Sequence, residues 1–312
     1  MAAGVAQICA RYLAGRYSLG KGFPSANEAI DWLLAEGKIP NDHAAARAAA
    51  ERRWGELYSY FFEEHLRSAN QQRDIINQAI GQGRGLNWAH ACLGELVKRR
   101  FVHTVLTTNF DQLVLQGIIR TGIIPVVADN MASLDRVTST PLWPQVIHLH
   151  GSMHTYNLRN SKNALEETQE DPGFARVVTN LMRGSDLLVV VGYGGGEEGI
   201  MEVLCEAARQ DPQMVVYWVA YGGGFDSLSP RAQELVRCGE NKFIIQTSSG
   251  ADEFFWSLME SLKLGPPDWI RDPIGATNAA AGELLNVENN EVISVLVSVY
   301  RRQIQHAVEE RV

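Results

Sequence analysis

The sequence of 312 residues contains few cysteines, and they are widely spaced. They are Cys9, Cys92, Cys205 and Cys238. Since no two of them form a C-x-x-C pair, the spacing argues against a structural zinc site built from four thiolates. We expect reduced thiols in a cytoplasmic protein.

Long apolar runs and a surplus of positive charge are also lacking. No run approaches the roughly 20 apolar residues that span a bilayer, and the N-terminus lacks the basic region and apolar core of a signal peptide. Lys and Arg number 28 against 36 Asp and Glu, which gives a net charge of −8. This balance disfavours a general nucleic-acid surface. We therefore predict a cytoplasmic protein that binds neither membrane nor nucleic acid.

The first hundred residues differ in pattern from the rest of the chain. SANEAIDWLL begins with the capping-box spacing of Ser25 and Glu28, and the stretch DHAAARAAAERRWGELYSYFFEEHLR is helical in pattern. We expect its helically spaced aromatic residues to pack in a core: Trp54, Tyr58, Phe61 and Phe62. From residue 101, short apolar runs alternate with helical stretches, which is typical of a mostly parallel sheet. The sequence therefore predicts an α/β, Rossmann-like fold with helices on both faces and a helical insertion in the N-terminal third.

The domain organisation follows from where the composition changes. We predict one domain over residues 1–265, with a helical subregion over about 25–100 and a Rossmann-like part over about 101–265. Proline and then small residues mark 266–288 as a linker. Residues 289–312 are predicted to begin a further helical region.

Polar or glycine-rich segments follow three of the apolar runs, namely TTNFD, HLHGS and GYGGG. In open parallel sheets, ligands bind outside the carboxyl ends of the strands, where these segments would lie. A structural alternative exists for the first segment, because Asn109 or Asp111 would also cap the following helix. For the glycine turn the alternatives are a phosphate-binding turn and a purely structural turn, since Glu197 and Glu198 would repel a phosphate.

The stretch VIHLHGSMH predicts a strand that ends on two histidines, His148 and His150, with their side chains on one face. Three interpretations are open at this point. With His154 the pair could supply three nitrogen ligands to a metal, one histidine could act as a general base, or both could merely end a strand. A Gly-x-Ser-x-Gly nucleophile motif is absent.

Taken together, the three segments resemble the sirtuin superfamily, in particular its bacterial sirtuin-like branch. The family's T-Q-N-x-D motif corresponds to Thr107–Asp111, its H-G motif to His150–Gly151, and its G-[TS]-S turn to Gly192–Gly194. The segment SSGADEFFWSLM is similar to the family's last nucleotide-contacting loop. The order of the motifs and their positions after strands agree with the family.

The resemblance implies a role for each matching residue. Asn109 would contact the nicotinamide ribose and orient the attacking water, and His150 would act as the base. Asp111 would line the nicotinamide pocket, and His148 would only shape the strand end. Further contacts with NAD are implied for Thr107, Thr108, Gly151, Gly192, Tyr193, Gly194, Gly250, Ala251 and Asp252.

Two departures from the family pattern bear on these expectations. Deacetylating sirtuins hold zinc with two cysteine pairs, which this sequence lacks, so the resemblance implies neither a zinc module nor a bound metal. The family's phosphate-binding G-A-G-x-S strand and turn is also missing, and only residues 2–5 resemble its end. We therefore expect a sequence clipped at its N-terminus, and low stability for the isolated chain because a central strand would be lost.

The resemblance implies hydrolysis of NAD+ to nicotinamide and ADP-ribose, as the effector of a bacterial antiphage defence protein. A homo-oligomer or an attached sensor domain would be the partner. The alternatives are a catalytically silent domain that senses NAD+ or ADP-ribose, an NAD-dependent protein deacylase, and a metal-dependent hydrolase built on the histidine run.

Overall fold

The computed structural model describes residues 2–66, 68–81, 85–152, 172–183, 185, 187–195, 198–210, 215–239, 243–276, 298–299 and 302. Its helices are α1 (Ala2–Tyr17), α2 (Ala26–Ala35), α3 (Ala44–Ala50), α4 (Trp54–Tyr60), α5 (Ala69–Gly81), α6 (Trp88–Lys98), α7 (Leu113–Ile119), α8 (Pro172–Arg183), α9 (Glu198–Gln210), α10 (Pro230–Gly239), α11 (Ala251–Ser261) and α12 (Asp268–Arg271). Its strands are β1 (Thr104–Thr107), β2 (Val126–Ala128), β3 (Gln145–His148), β4 (Leu187–Val191), β5 (Val215–Tyr221) and β6 (Phe243–Ser248).

The fold is α/β and Rossmann-like, as the sequence predicts, but the described strands pair as two small sheets. One sheet has the order β1-β3-β2 and the other the order β4-β5-β6, and every pairing is parallel. The apolar runs of the sequence mark each strand correctly, but they carry no information about which strands become neighbours. The two sheets share one apolar core, to which Ile147 of the first sheet and Trp218 of the second both contribute.

Helices cover both faces of the sheets. Val105 and Val146 point to one face, where they pack with residues of α6 and α7. Their neighbours Leu106 and Ile147 point to the opposite face and join the core formed with α8, α9 and α10. Since successive side chains of a strand alternate between faces, each of these short strands is apolar on both sides.

The N-terminal helices form a separate apolar cluster. Residues of α1 to α5 build this cluster, and the aromatic residues Trp54, Tyr58, Phe61 and Phe62 are buried in it, as predicted. The Ser25 side chain accepts a hydrogen bond from the Glu28 backbone N–H at 3.2 Å and so caps α2. This region also receives Phe110, which comes from the TTNFD segment far along the chain.

The helical pattern after residue 42 does not form one helix. The stretch divides into α3, α4 and a π-helical turn at Phe61–His65. The break lies at Arg52, whose φ of 58° is incompatible with a continuing right-handed helix. The Arg52 guanidinium stabilises the break, since it donates to the Ala49 carbonyl at 2.6 Å and pairs with Asp31 at 2.6 Å.

Few of the residues after 276 belong to the described part of the chain. The predicted linker at 266–288 is described only to residue 276, and of the predicted helical region at 289–312 only residues 298, 299 and 302 are described. Across the described ranges, no helix combines the length and the apolar character that crossing a membrane requires.

Helices α6 and α7 cross at two glycines. A Cβ atom on Gly94 of α6 would collide with the backbone carbonyl of Gly117 in α7, and a Cβ atom on Gly117 would collide with the carbonyl of His90. Backbone atoms cannot move aside as a flexible side chain would. The close approach of the two helices therefore requires glycine at both positions.

We expect Gly117→Ala to lower the free energy of unfolding by about 1–3 kcal/mol, because the added methyl group overpacks the crossing. Gly55→Ala in α4 is the matched control, since a Cβ atom there meets nothing within 4 Å. That control should raise stability by about 0.5–1 kcal/mol through helix propensity. Urea denaturation of the two variants provides the measurement, and equal effects would contradict the close crossing.

Candidate functional site

The pairing of β1 with β3 brings the TTNFD and HLHGS segments to the same edge of the sheet. Thr107 lies opposite His148 at the ends of the two parallel strands. One residue further on, the Leu149 backbone N–H donates to the Thr107 carbonyl at 2.9 Å. Because parallel strands present their carboxyl ends at one edge, the residues that follow each strand converge there.

The backbone of Asn109 is held on both sides. Its N–H donates to the Thr107 hydroxyl at 3.1 Å, and its carbonyl accepts from Nδ1 of His148 at 3.0 Å. Within the described residues, the side-chain amide of Asn109 makes no hydrogen bond. The arrangement fixes the main chain at Asn109 while its amide group remains available.

His150 lies two residues beyond the end of β3, in the turn that follows the strand. The sequence predicts that β3 ends on both histidines, but β3 ends at His148, because the chain turns at Leu149 and His150. His150 is only 5% exposed, and its ring lies 6.2 Å from the ring of Phe110. Gly151 follows with a φ of 78°, a conformation that favours glycine and ends the extended chain there.

No sequence motif marks the residues that hold the turn after His150. The hydroxyl of Ser152, which is fully buried, donates to the Asp129 carboxylate at 2.9 Å. Asp129 directly follows β2, and its other carboxylate oxygen accepts from the Asn130 side chain at 3.1 Å. The end of β2 therefore fixes the H-G-S turn from the opposite side to β1.

Asp111 and Gln112 are buried at the start of α7. The Asp111 carboxylate accepts from the Leu113 backbone N–H at 3.1 Å and so satisfies one donor of the first turn of α7. The N-cap position itself is Gln112, which makes no side-chain capping bond. Gln112 is 6% exposed, and its Oε1 atom has no donor among the described residues. A buried acceptor without a donor is costly unless water or a ligand supplies one.

No sequence motif marks His90, which lies near residues of two predicted site segments. It lies in the first turn of α6, where the Asn87 side chain accepts from its backbone N–H at 3.2 Å. Burial lowers the pKa of His90 below its ordinary value, and the negative charges of Asp111 and Asp252 oppose this shift. The Asp252 carboxylate also accepts from the Ala89 backbone N–H at 2.7 Å. The N-terminus of α6 thus lies between the TTNFD and SSGAD segments.

The glycine turn after β4 lies at the end of the second sheet. Gly192 and Gly195 have φ values of 68° and 64°, and the Gly195 carbonyl accepts from the Ser229 hydroxyl at 2.7 Å. The Tyr193 ring lies 6.1 Å from that of Trp218 in β5. Gly192 and Gly194 are exposed, whereas Gly196 and Glu197 lie outside the described residues. Ser229 and Trp218 hold this turn, and its contact with a nucleotide stays a prediction.

Metal ligation by the histidines was one of the open interpretations, and the cysteines were expected to be reduced thiols. Among the described residues, no group of three His, Cys, Asp or Glu side chains is arranged to hold a metal ion, and His154 lies outside them. Burial raises the pKa of Cys9 to about 12 and that of Cys92 to about 11. These two thiols are therefore protonated and unreactive at neutral pH.

Comparison with known proteins identifies one family. Residues 103–247 match the family model described as SIR2-like domain. The matched span includes Thr107–Asp111, His150–Gly151 and Gly192–Gly194, and it ends before Gly250. The match supports assignment of this part of the chain to the sirtuin-like superfamily, whose members use NAD. A search of curated proteins found no match.

We expect the stability of the protein to depend on pH through His90. The pKa of His90 in the folded protein lies below the ordinary histidine value of about 6.5, so the unfolded chain binds the proton more readily. The stability that a neutral His90 contributes is fully present above about pH 6.5, the pKa of a histidine in the unfolded chain. It is lost as the pH falls through the pKa that His90 has in the folded protein. Between pH 7.5 and 5.5 the urea midpoint of the wild-type protein should therefore fall further than that of His90→Gln, which keeps a capping-box residue. Parallel shifts in the two proteins would contradict this assignment.

Removal of the Asp252 carboxylate should destabilise the protein without any ligand. Asp252→Ala leaves an N–H in the first turn of α6 without its acceptor, at a cost of about 1 kcal/mol. Glu260→Ala is the control, because Glu260 is exposed on the same helix. Thermal melts in the absence of nucleotide make the comparison, and equal melting temperatures for the two variants would exclude the capping role.

Proposed function

Because residues 103–247 carry a SIR2-like domain, we propose that this chain hydrolyses NAD+ to nicotinamide and ADP-ribose. The observation that carries the proposal is the joining of two segments at the ends of β1 and β3. The Asn109 carbonyl is bonded to His148, and the Phe110 ring contacts the ring of His150. These contacts bring an uncommitted amide group and a buried imidazole to one edge of the sheet.

The reaction breaks the bond between C1′ of the ribose and the ring nitrogen of nicotinamide. The leaving nitrogen takes the bonding electron pair, so nicotinamide departs as a neutral molecule, and a water oxygen forms the new bond to C1′. In the proposal, the Asn109 amide orients this water and the ribose. His150 accepts the proton that the water releases, since a neutral imidazole is a suitable base near pH 7.

Polar groups beside Asn109 suit the nicotinamide end of the substrate. Asp111 is 4% exposed and Gln112 is 6% exposed, and Oε1 of Gln112 has no donor within the described part of the chain. The carboxamide of nicotinamide carries N–H donors that such an acceptor can bind. A hydrogen bond of this kind gains strength in a site with little water.

Water, and not an acylated lysine, is the proposed acceptor. The cysteine pairs that build the zinc module of deacetylating sirtuins are absent from the sequence. The motif set resembles the bacterial sirtuin-like branch, so the proposal extends to depletion of NAD+ in antiphage defence. An attached sensor domain or a homo-oligomer would control the activity.

We expect His150→Ala and Asn109→Ala each to lower the rate of NAD+ hydrolysis by at least about 100-fold, the usual loss on removal of a general base or a positioned polar group. Nicotinamide and ADP-ribose, quantified by chromatography, should appear in equal amounts with the wild-type protein. His103→Ala and Asn27→Ala are matched controls, because both residues are exposed and neither belongs to the segments that form the site.

Other outcomes would identify the alternatives. Binding of NAD+ without either product would favour the sensor function. Removal of an acyl group from a lysine peptide would favour the deacylase. Full activity of both site variants would overturn the assignment of Asn109 and His150.

A further inference from the structure

His148 makes a contact that the sequence motifs do not explain. It is the last residue of β3 and 4% exposed, and its Nδ1–H donates to the backbone carbonyl of Asn109 at 3.0 Å. The two residues are 39 positions apart in sequence. Because a carbonyl only accepts hydrogen bonds, the contact requires the proton on Nδ1 and so fixes the tautomer of His148.

The contact acts on the main chain at Asn109. The Asn109 N–H donates to Thr107, which belongs to the same segment. The Asn109 carbonyl accepts from His148, so His148 supplies the contact from a distant part of the sequence. The amide group of Asn109 makes no hydrogen bond to any described residue. Its position therefore depends on the backbone that His148 and Thr107 hold.

We propose that His148 is a positioning residue, which holds Asn109 in the geometry that NAD+ hydrolysis requires. This inference rests on the function proposed above. His148 itself touches no reacting atom; it acts through the Asn109 carbonyl. A displacement of a catalytic group by about 1 Å can lower a rate on the order of 100-fold, so the loss of one such bond is sufficient to impair turnover.

A buried histidine could also serve only to fill space, and substitutions can separate the two roles. The side-chain nitrogen of Asn lies as many bonds from Cα as Nδ1 of His, so His148→Asn keeps a donor near the Asn109 carbonyl. The nitrogen of Gln lies one bond further out. His148→Leu fills a similar volume without any donor.

The experiment measures kcat and KM for NAD+ in the wild-type protein and in these three variants, with thermal melts of each. We expect His148→Leu and His148→Gln to lower kcat on the order of 10- to 100-fold with a nearly unchanged KM, and His148→Asn to regain most of the loss. If activity follows melting temperature and His148→Asn shows no rescue, His148 has only a structural role and the proposal is overturned. An unchanged kcat in His148→Leu overturns it as well.

A second measurement separates failure of this inference from failure of the proposed function. In protein labelled with ¹⁵N-histidine, two-bond proton–nitrogen correlations report which ring nitrogen of His148 carries the proton. The Nδ1–H tautomer supports the contact with Asn109, and the Nε2–H tautomer excludes it. If the folded wild-type protein with the Nδ1–H tautomer releases no nicotinamide, the proposed function is wrong and the catalytic role falls with it. Normal turnover with an Nε2–H tautomer overturns the positioning role alone.

Discussion

The candidate site depends on the register of one strand pair. Because β1 and β3 are parallel and Thr107 lies opposite His148, the segments after both strands begin at the same level. A shift of the register by one residue would turn His148 to the opposite face of the sheet and separate it from Asn109. Gln145 opposes such a shift, because its buried side-chain amide donates to the Thr104 hydroxyl at 2.8 Å and to the Thr138 carbonyl at 2.7 Å and would lose these partners.

The helical N-terminal region takes part in this constraint through Phe110. This residue lies between Asn109 and Asp111, yet its side chain belongs to the apolar cluster of α1 to α5. The same ring contacts His150. The helices therefore stabilise the TTNFD segment from one side while the Asn109–His148 bond holds it from the other. A substitution that loosens the helical cluster should accordingly affect the site, although no helix of that cluster carries a predicted site residue.

The sequence predicts those features that local patterns encode. The cap at Ser25 and the buried aromatic residues follow from spacing and residue type. The bonds Ser152–Asp129 and Ala89–Asp252 join residues 23 and 163 positions apart, and no local pattern encodes them. The pairing of strands into two sheets was unpredictable for the same reason, because neighbours in a parallel sheet are chosen by tertiary packing. His148 shows the difference most clearly, because no local pattern predicts its bond to the Asn109 carbonyl, which lies 39 positions away in sequence.

Most polar side chains at the strand ends hold the chain in place through hydrogen bonds within it. They differ in this from the groups that remain available to a substrate. The Asp111 and Asp129 carboxylates and the Ser152 hydroxyl are occupied by bonds within the chain. The Asn109 amide and Oε1 of Gln112 have no partner in the described ranges. The buried Oε1 of Gln112 is costly unless a ligand or water donates a hydrogen bond to it, and the half-buried Asn109 amide can accept from or donate to either. The side-chain amides of Asn109 and Gln112 are therefore the groups that the proposed substrate would bind. The bonded carboxylates hold the chain that carries them in place.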